Sequence, residues 1–222
     1  MLSIVERYGS MIMTALGQTL LLCFLSLCIA MVIGFIFALL NVSGKALFNF
    51  IGTVYVDAVR GVPLIVLAYF IYFGLPAGMK MLGAVDFRLT ALQAGTAALS
   101  MNCGAYMAEI IRAGIQSVDR GQMEASRSLG LTYRQSMRLV VLPQAIRTMI
   151  PSIINQFIIT LKDTSILSVI GYPELTNMGK TISGNTFKSL ETWAIIGLVY
   201  MVAIVSLSKL AKVVERRLNV GR

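Results

Sequence analysis

An all-α integral membrane bundle is the fold class this sequence predicts, and three observations predict it. Hydrophobic residues fill 57% of the 222 positions and charged residues only 13%, against about a quarter charged in an ordinary soluble domain. Long stretches carry no charge at all, namely 8–44, 61–79, 89–108, 148–161 and 192–208. Those stretches also lack the charged face at helical spacing that each helix of a soluble bundle must turn to water.

A helix crosses the hydrocarbon core with about 20 largely apolar residues. Five transmembrane helices follow in order, over 11–40, 48–75, 87–111, 144–161 and 189–210. The first begins beside Glu6 and Arg7 rather than a basic cluster and outruns a signal-peptide core, so it is expected to stay as a permanent helix. Orientation follows from lysine and arginine. With the N-terminus outside, twelve basic residues fall inside (Lys45, Arg112, Arg120, Arg127, Arg134, Arg138, Arg147, Lys209, Lys212, Arg216, Arg217 and Arg222). Six fall outside (Arg7, Lys80, Arg88, Lys162, Lys180 and Lys188), with Arg60 inside a span. The C-terminus is therefore expected to be cytoplasmic. The net charge of +9 reads as a topology and lipid-headgroup signal, with no nucleic-acid partner implied.

Some chemistry is excluded. There is no histidine, and Cys23, Cys28 and Cys103 all lie within spans, where they read as small packing residues with no metal site. No phosphate-binding loop of the Gly-x-x-x-x-Gly-Lys-Ser/Thr type occurs, so an active transporter would need its ATPase on another chain. No internal repeat of the kind common in secondary transporters is evident, and the chain reads as a single domain over 1–222.

Two inter-span regions are longer than turns. The inner one, 112–143, is polar and rich in arginine and predicts short helices. Gly130 can stop the first in a left-handed cap. Thr132 and Gln135 then have capping-box spacing for the second, and Pro143 is expected to close that helix and turn the chain into the fourth span. The outer one, 163–188, holds an apolar segment, 165–171, too short to cross; it either lies in the interface or dips back into the protein.

Polar residues inside the spans converge on one depth. At about 1.5 Å per residue, Gln156 lies roughly 15 Å past Ile146, midway through a core of about 30 Å. Asn102, twelve residues past Thr90, and Arg60, twelve past Phe48, reach a similar level from their own sides. Asn102, Tyr106 and Glu109 form one helical stripe, and Gln156, Thr160 and Asp163 another. Such stripes either hold helices together by hydrogen bonds or line a cavity. Asp57, three residues before Arg60, is its ready charge partner, in a structural or gating pair.

The polar segment runs Glu124-Ala125-Ser126-Arg127, then Gly130, then Val140-Val141-Leu142-Pro143. This pattern resembles the EAA loop of ABC-transporter permeases, with Ser126 in place of the second alanine. Residues 55–63 (Tyr-Val-Asp-Ala-Val-Arg-Gly-Val-Pro), 102–114 (Asn-Cys-Gly-Ala-Tyr-Met-Ala-Glu-Ile-Ile-Arg-Ala-Gly), Asn155-Gln156-Phe157 through Lys162-Asp163-Thr164-Ser165, and the closing Glu215-Arg216-Arg217 are similar to blocks of polar amino-acid permeases. On these residues the chain is identified as resembling the membrane subunit of a polar amino-acid ABC importer of the glutamine/histidine permease family, a type I permease bundle in a bacterial cell membrane.

The resemblance implies a second permease subunit, an ABC ATPase that carries ATP and Mg, and an extracytoplasmic binding protein; this chain would hold no cofactor and catalyse nothing. It implies ATPase coupling through Glu124, Ala125, Ser126, Arg127, Gly130, Leu142 and Pro143. The small Ala125 and Ser126 would allow close approach, while Glu124 and Arg127 would supply charge pairing. Asn102, Gln156, Asp163 and Arg60 form the expected substrate-binding set, with pairing to Lys162 as the other reading of Asp163. Arginine- and lysine-type members tend to carry glutamate where this chain has Gln156, which predicts a neutral polar substrate. The rival readings are an ion-coupled transporter or channel acting alone, and a membrane anchor for a signalling ATPase.

Overall fold

The computed structural model describes the backbone of residues 1–218 and side chains through 213. The side chains of the closing Glu215-Arg216-Arg217, and Arg222, lie outside the described residues. Ten α-helices, two π-turns and one 3-10 turn are joined by short connections, with no strand among the described residues.

Helix α1 (Leu2–Asn41) runs unbroken for 40 residues, about 60 Å and so roughly twice the hydrocarbon thickness. Its first turns, at Ile4, Tyr8, Ile12 and Ala15, pack on Leu175, Ile182, Ile195 and Ile196. Its later turns lie along α5 (Ala91–Gln116). Small residues permit that approach. A Cβ at Gly34 would sit 2.5 Å from the Met107 Cβ, and one at Gly104 would sit 2.7 Å from Ile33 Cγ2. Ser100 adds a hydrogen bond from its hydroxyl to the Ser26 carbonyl at 3.2 Å. Contact through small side chains is how helices gain packing energy where lipid removes any hydrophobic drive.

Four helical stretches among the described residues are long and apolar enough to cross a membrane: Leu2–Asn41, Leu64–Met81, Tyr133–Ile170 and Ser189–Val213. The expected third span, α5, is not among them. Alanine, glycine and serine make up much of its buried face against α1, α2 and α8, and together with Gln93 and Asn102 they keep its mean hydropathy low.

The expected second span does not form as one helix. Helix α2 (Ala46–Gly61) stops at an extended Val62 (φ −106°, ψ 127°), and α3 (Leu64–Tyr69) restarts after Pro63. Proline has no N–H to offer and pushes the preceding residue out of the helical region. The apolar stretch then continues through a π-turn (Phe70–Gly74) into α4 (Leu75–Met81).

Pro143 behaves differently from expectation. It closes no helix. After α6 (Arg120–Ser128) and α7 (Tyr133–Ser136), a π-turn (Met137–Val141) leads straight into α8 (Leu142–Asp163), with Leu142 fully helical at φ −59°, ψ −42°. The Leu142 N–H reaches back five residues to the Met137 carbonyl, and the Leu75 N–H does the same to Phe70 just before Pro76. Each wide turn directly precedes an X-Pro pair. Enlarging the ring from four residues to five lets the helix continue through proline with its other hydrogen bonds kept.

Segment 163–188 dips back into the bundle. The 3-10 turn (Thr164–Ile170) buries Leu167 and Ile170 among Leu22, Leu64 and Leu99, and Gly171 ends it at φ +79°. Glu174 then caps α9 (Leu175–Thr186), accepting hydrogen bonds from the Thr176 and Asn177 N–H groups and from the hydroxyl of Tyr200 on α10 (Ser189–Leu218). Burial pushes its carboxyl above the usual range, while those donors pull it back.

Replacing Gly34 by leucine should overpack the α1–α5 contact and cost about 1–3 kcal/mol. Thermal unfolding in detergent should show a lower midpoint for Gly34→Leu. Gly17→Leu, where nothing lies within 4 Å of the added Cβ, should leave it unchanged.

Candidate functional site

The break in the second span forms one wall of a cleft. Arg60 and the 61–64 backbone face Asn102 and Tyr106 of α5 and Gln156, Ile159 and Asp163 of α8, around a volume of about 470 Å³. All four residues expected from the sequence to form one set (Arg60, Asn102, Gln156 and Asp163) therefore line a single cleft. Asn102 and Gln156 are 6% and 5% exposed, held close among the helices. Thr160, in the second stripe, is turned inward, its hydroxyl donating to the Gln156 carbonyl at 2.8 Å and lying 3.2 Å from Cys103 Sγ.

Two pairings differ from expectation. Asp57 and Arg60 form no ion pair among the described residues; the Arg60 guanidinium lies over the Tyr106 ring, 5.1 Å from its centroid. Tyr106 stands on the facing helix where the cation can cover its π-face, an attraction worth about 0.5–2 kcal/mol. Glu109, further along the same face of α5, lines a different cleft from Asn102 and Tyr106, and Arg112 grips both of its carboxylate oxygens. There a second, polar cleft opens between α2 and α5, holding about 380 Å³ and lined by Asn49, Thr53, Asp57, Arg60, Glu109 and Arg112 among others. The sequence reading missed it, although Asn49, Thr53, Asp57 and Arg60 recur at the spacing of one helix face.

The α6–α7 elbow is built as its residues direct. Asp119 caps α6, accepting from the Gly121 N–H at 2.6 Å. At the other end the Leu131 N–H reaches the Ser126 carbonyl and the Gly130 N–H reaches Arg127, with Gly130 at φ +88°, the paired bonds of a Schellman cap. The Thr132–Gln135 capping box forms. Gln144 at the start of α8 donates to the Gln122 side chain at 3.2 Å, tying the elbow to the long helix. Glu124, Ala125 and Arg127 stand exposed, as do Gly130 and Pro143, and Leu142 is half-buried. Ser126 is not on that surface. It is 4% exposed and donates to the Met123 carbonyl, so its small size serves packing inside the chain. Leu129, 84% exposed beside the cap, is a surface residue that the motif gave no cause to single out.

Comparison with known proteins agrees with this architecture. Residues 30–220 match the family described as binding-protein-dependent transport system inner membrane component. The chain belongs to that family. Its members are transport components of the inner membrane, and this bundle of long apolar helices suits that setting. Among curated relatives it is 39% identical to the probable glutamine ABC transporter permease protein GlnM of Bacillus subtilis, across 95% of this chain and 94% of that one. It is 36% identical to the glutamine transport system permease protein GlnP of Escherichia coli, across 91% and 90%. Among solved structures it superposes with a TM-score of 0.89 and 40% identity on an amino acid ABC transporter crystallised with histidines, covering 97% of each chain.

A side chain at Gly130 would be strained at φ +88° by roughly 1–2 kcal/mol. In this family member, Gly130→Val should raise amide hydrogen exchange over 120–136 while leaving α1 and α5 protected. Equal exchange in the two regions would show that the cap does not hold the elbow.

Proposed function

We propose that this chain is the membrane subunit of an ATP-driven importer of a neutral polar amino acid. The observation that carries the reading is the shared cleft of Arg60, Asn102, Gln156 and Asp163 beside the helix break, taken with the family to which the chain belongs. Polar groups at depth are costly in lipid and are kept where they line a path. Relatives named for glutamine stand at 39% and 36% identity and one named for arginine at 36%, so overall similarity separates the substrates poorly. Gln156 is what favours a neutral one: an amide hydrogen-bonds a polar side chain but cannot neutralise a cation. Asn102 contacts the substrate beside it, with Arg60 and Asp163 supplying charge.

The remaining parts belong to the same reading. The whole of 1–222 acts as one transmembrane domain with five spans, N-terminus outside and C-terminus cytoplasmic, paired with a second permease subunit. Residues 112–143 form the cytoplasmic coupling segment, where an ABC ATPase docks on Glu124, Ala125 and Arg127. Gly130, Leu142 and Pro143 set the elbow angle. ATP and Mg are bound by that partner, substrate is delivered by an extracytoplasmic binding protein, and this chain performs no catalysis. The continuous helix from Tyr133 to Ile170 supports transmission of the ATPase stroke, because a push at the elbow moves Gln156 and Asp163 on the same rod.

Reconstitution with the ATPase and binding protein in liposomes tests this. Labelled glutamine should accumulate only with ATP, and Glu124→Arg should lower uptake about tenfold or more, a loss of at least about 1.4 kcal/mol in coupling, without loss of folded protein. Uptake that followed an ion gradient and ignored ATP would instead support a transporter acting alone. Gln156→Glu should shift competition toward arginine; arginine already outcompeting glutamine in the parent protein would overturn the substrate assignment.

A further inference from the structure

The polar cleft between α2 and α5 has no role in the reading above, yet it is the more highly charged of the two. Four ionic side chains line it: Asp57, Arg60, Glu109 and Arg112. Two of them satisfy one another, since Arg112 holds the Glu109 carboxylate through Nε and Nη2 and also donates to Gln116. The other two do not. Asp57 and Arg60 make no hydrogen bond or ion pair with protein among the described residues, although they lie three residues apart on α2 and line the same cleft. Opposite charges left open side by side are kept in a membrane protein only where water or a ligand reaches them. Arg60 also lines the mid-depth cleft, over Tyr106, so one guanidinium faces both spaces.

We propose that the α2–α5 cleft is a second amino-acid subsite that reads the zwitterionic head group alone. Arg60 takes the carboxylate, as a planar fork of donors suits, and Asp57 takes the ammonium. Substrate leaving the mid-depth cleft keeps its carboxylate on Arg60 while its ammonium passes to Asp57, so no charge is bared during the transfer. Side-chain selection stays with Gln156 and Asn102, because the α2–α5 cleft offers a matched pair of charges that every amino acid satisfies. This inference rests on the amino-acid importer reading.

The test uses the assembled permease–ATPase complex without binding protein. Thr53→Cys places a thiol in the cleft one turn from Asp57, and the parent protein with its three native cysteines serves as the blank. A membrane-impermeant methanethiosulfonate should modify the Thr53→Cys protein. Glycine and glutamine should slow modification to a similar extent, and acetate or methylamine should not. Adding Asp57→Asn should weaken that protection about tenfold or more, the loss expected for one charge-assisted hydrogen bond. No modification, protection by glutamine but not glycine, or protection unchanged by Asp57→Asn would each overturn the subsite.

A second measurement does not need the cysteine. In ATP-driven uptake, Asp57→Asn should lower kcat and leave the KM for loaded binding protein unchanged; an unchanged kcat would overturn the transfer role. Absence of any ATP-driven amino-acid uptake by the parent complex would instead strike the importer reading, which the protection experiment does not measure.

Discussion

Backbone hydrogen bonding in a medium without water is the constraint on which the rest of this structure depends. Every N–H and C=O inside the hydrocarbon must find a partner within the protein or a wet cavity, and proline removes a donor wherever it occurs. At Pro63, Pro76 and Pro143 the chain meets this in two ways. Before Pro76 and Pro143 a π-turn widens the helix and the chain runs on. At Pro63 the helix stops instead, and the break falls where side chains from three helices enclose a cleft. The interruption is tolerated because it faces a polar space, and the polar space exists because the helix is interrupted.

Charge placement follows from the same geometry. Arg60 ends α2, where the helix carbonyls favour a cation, and it rests on the Tyr106 ring of the neighbouring helix rather than on Asp57. That leaves Asp57 open and lets Arg60 face two clefts at once. By contrast, Glu109 and Arg112 are locked together, so the two pairs with the same i, i+3 spacing have opposite fates. Rigidity is supplied around them by the α1–α5 contact, where Gly34 and Gly104 bring two helices to a separation that any larger residue would prevent.

The elbow and the cleft are joined by one helical rod. From Tyr133 the chain stays helical through the π-turn, α8 and the 3-10 turn to Ile170. Gln144 ties the base of this rod to α6, Gln156 and Asp163 line the cleft higher up, and Leu167 and Ile170 anchor its far end in the core. A displacement at the exposed Glu124 surface therefore has a stiff path to the polar cleft.

Much of this was legible in the chain itself. Charge-free stretches of membrane length identified a helical membrane bundle. Gly130 with Thr132 and Gln135 specified the elbow, since caps are local and a left-handed glycine needs no distant partner. Residue counting expected Arg60, Asn102 and Gln156 at a similar level, because rise per residue converts position to height, and all three line one cleft. Height, however, says nothing about rotation about each helix axis. Only tertiary packing decided that Arg60 meets Tyr106, that Glu109 lines a separate cleft with Arg112, and that Ser126 faces inward. The effect of each proline was equally undecided by sequence. An X-Pro pair can break a helix, as at Pro63, follow a wide turn, as at Pro76 and Pro143, or sit inside a continuous helix, as Pro151 does in α8, and only the tertiary structure decided which.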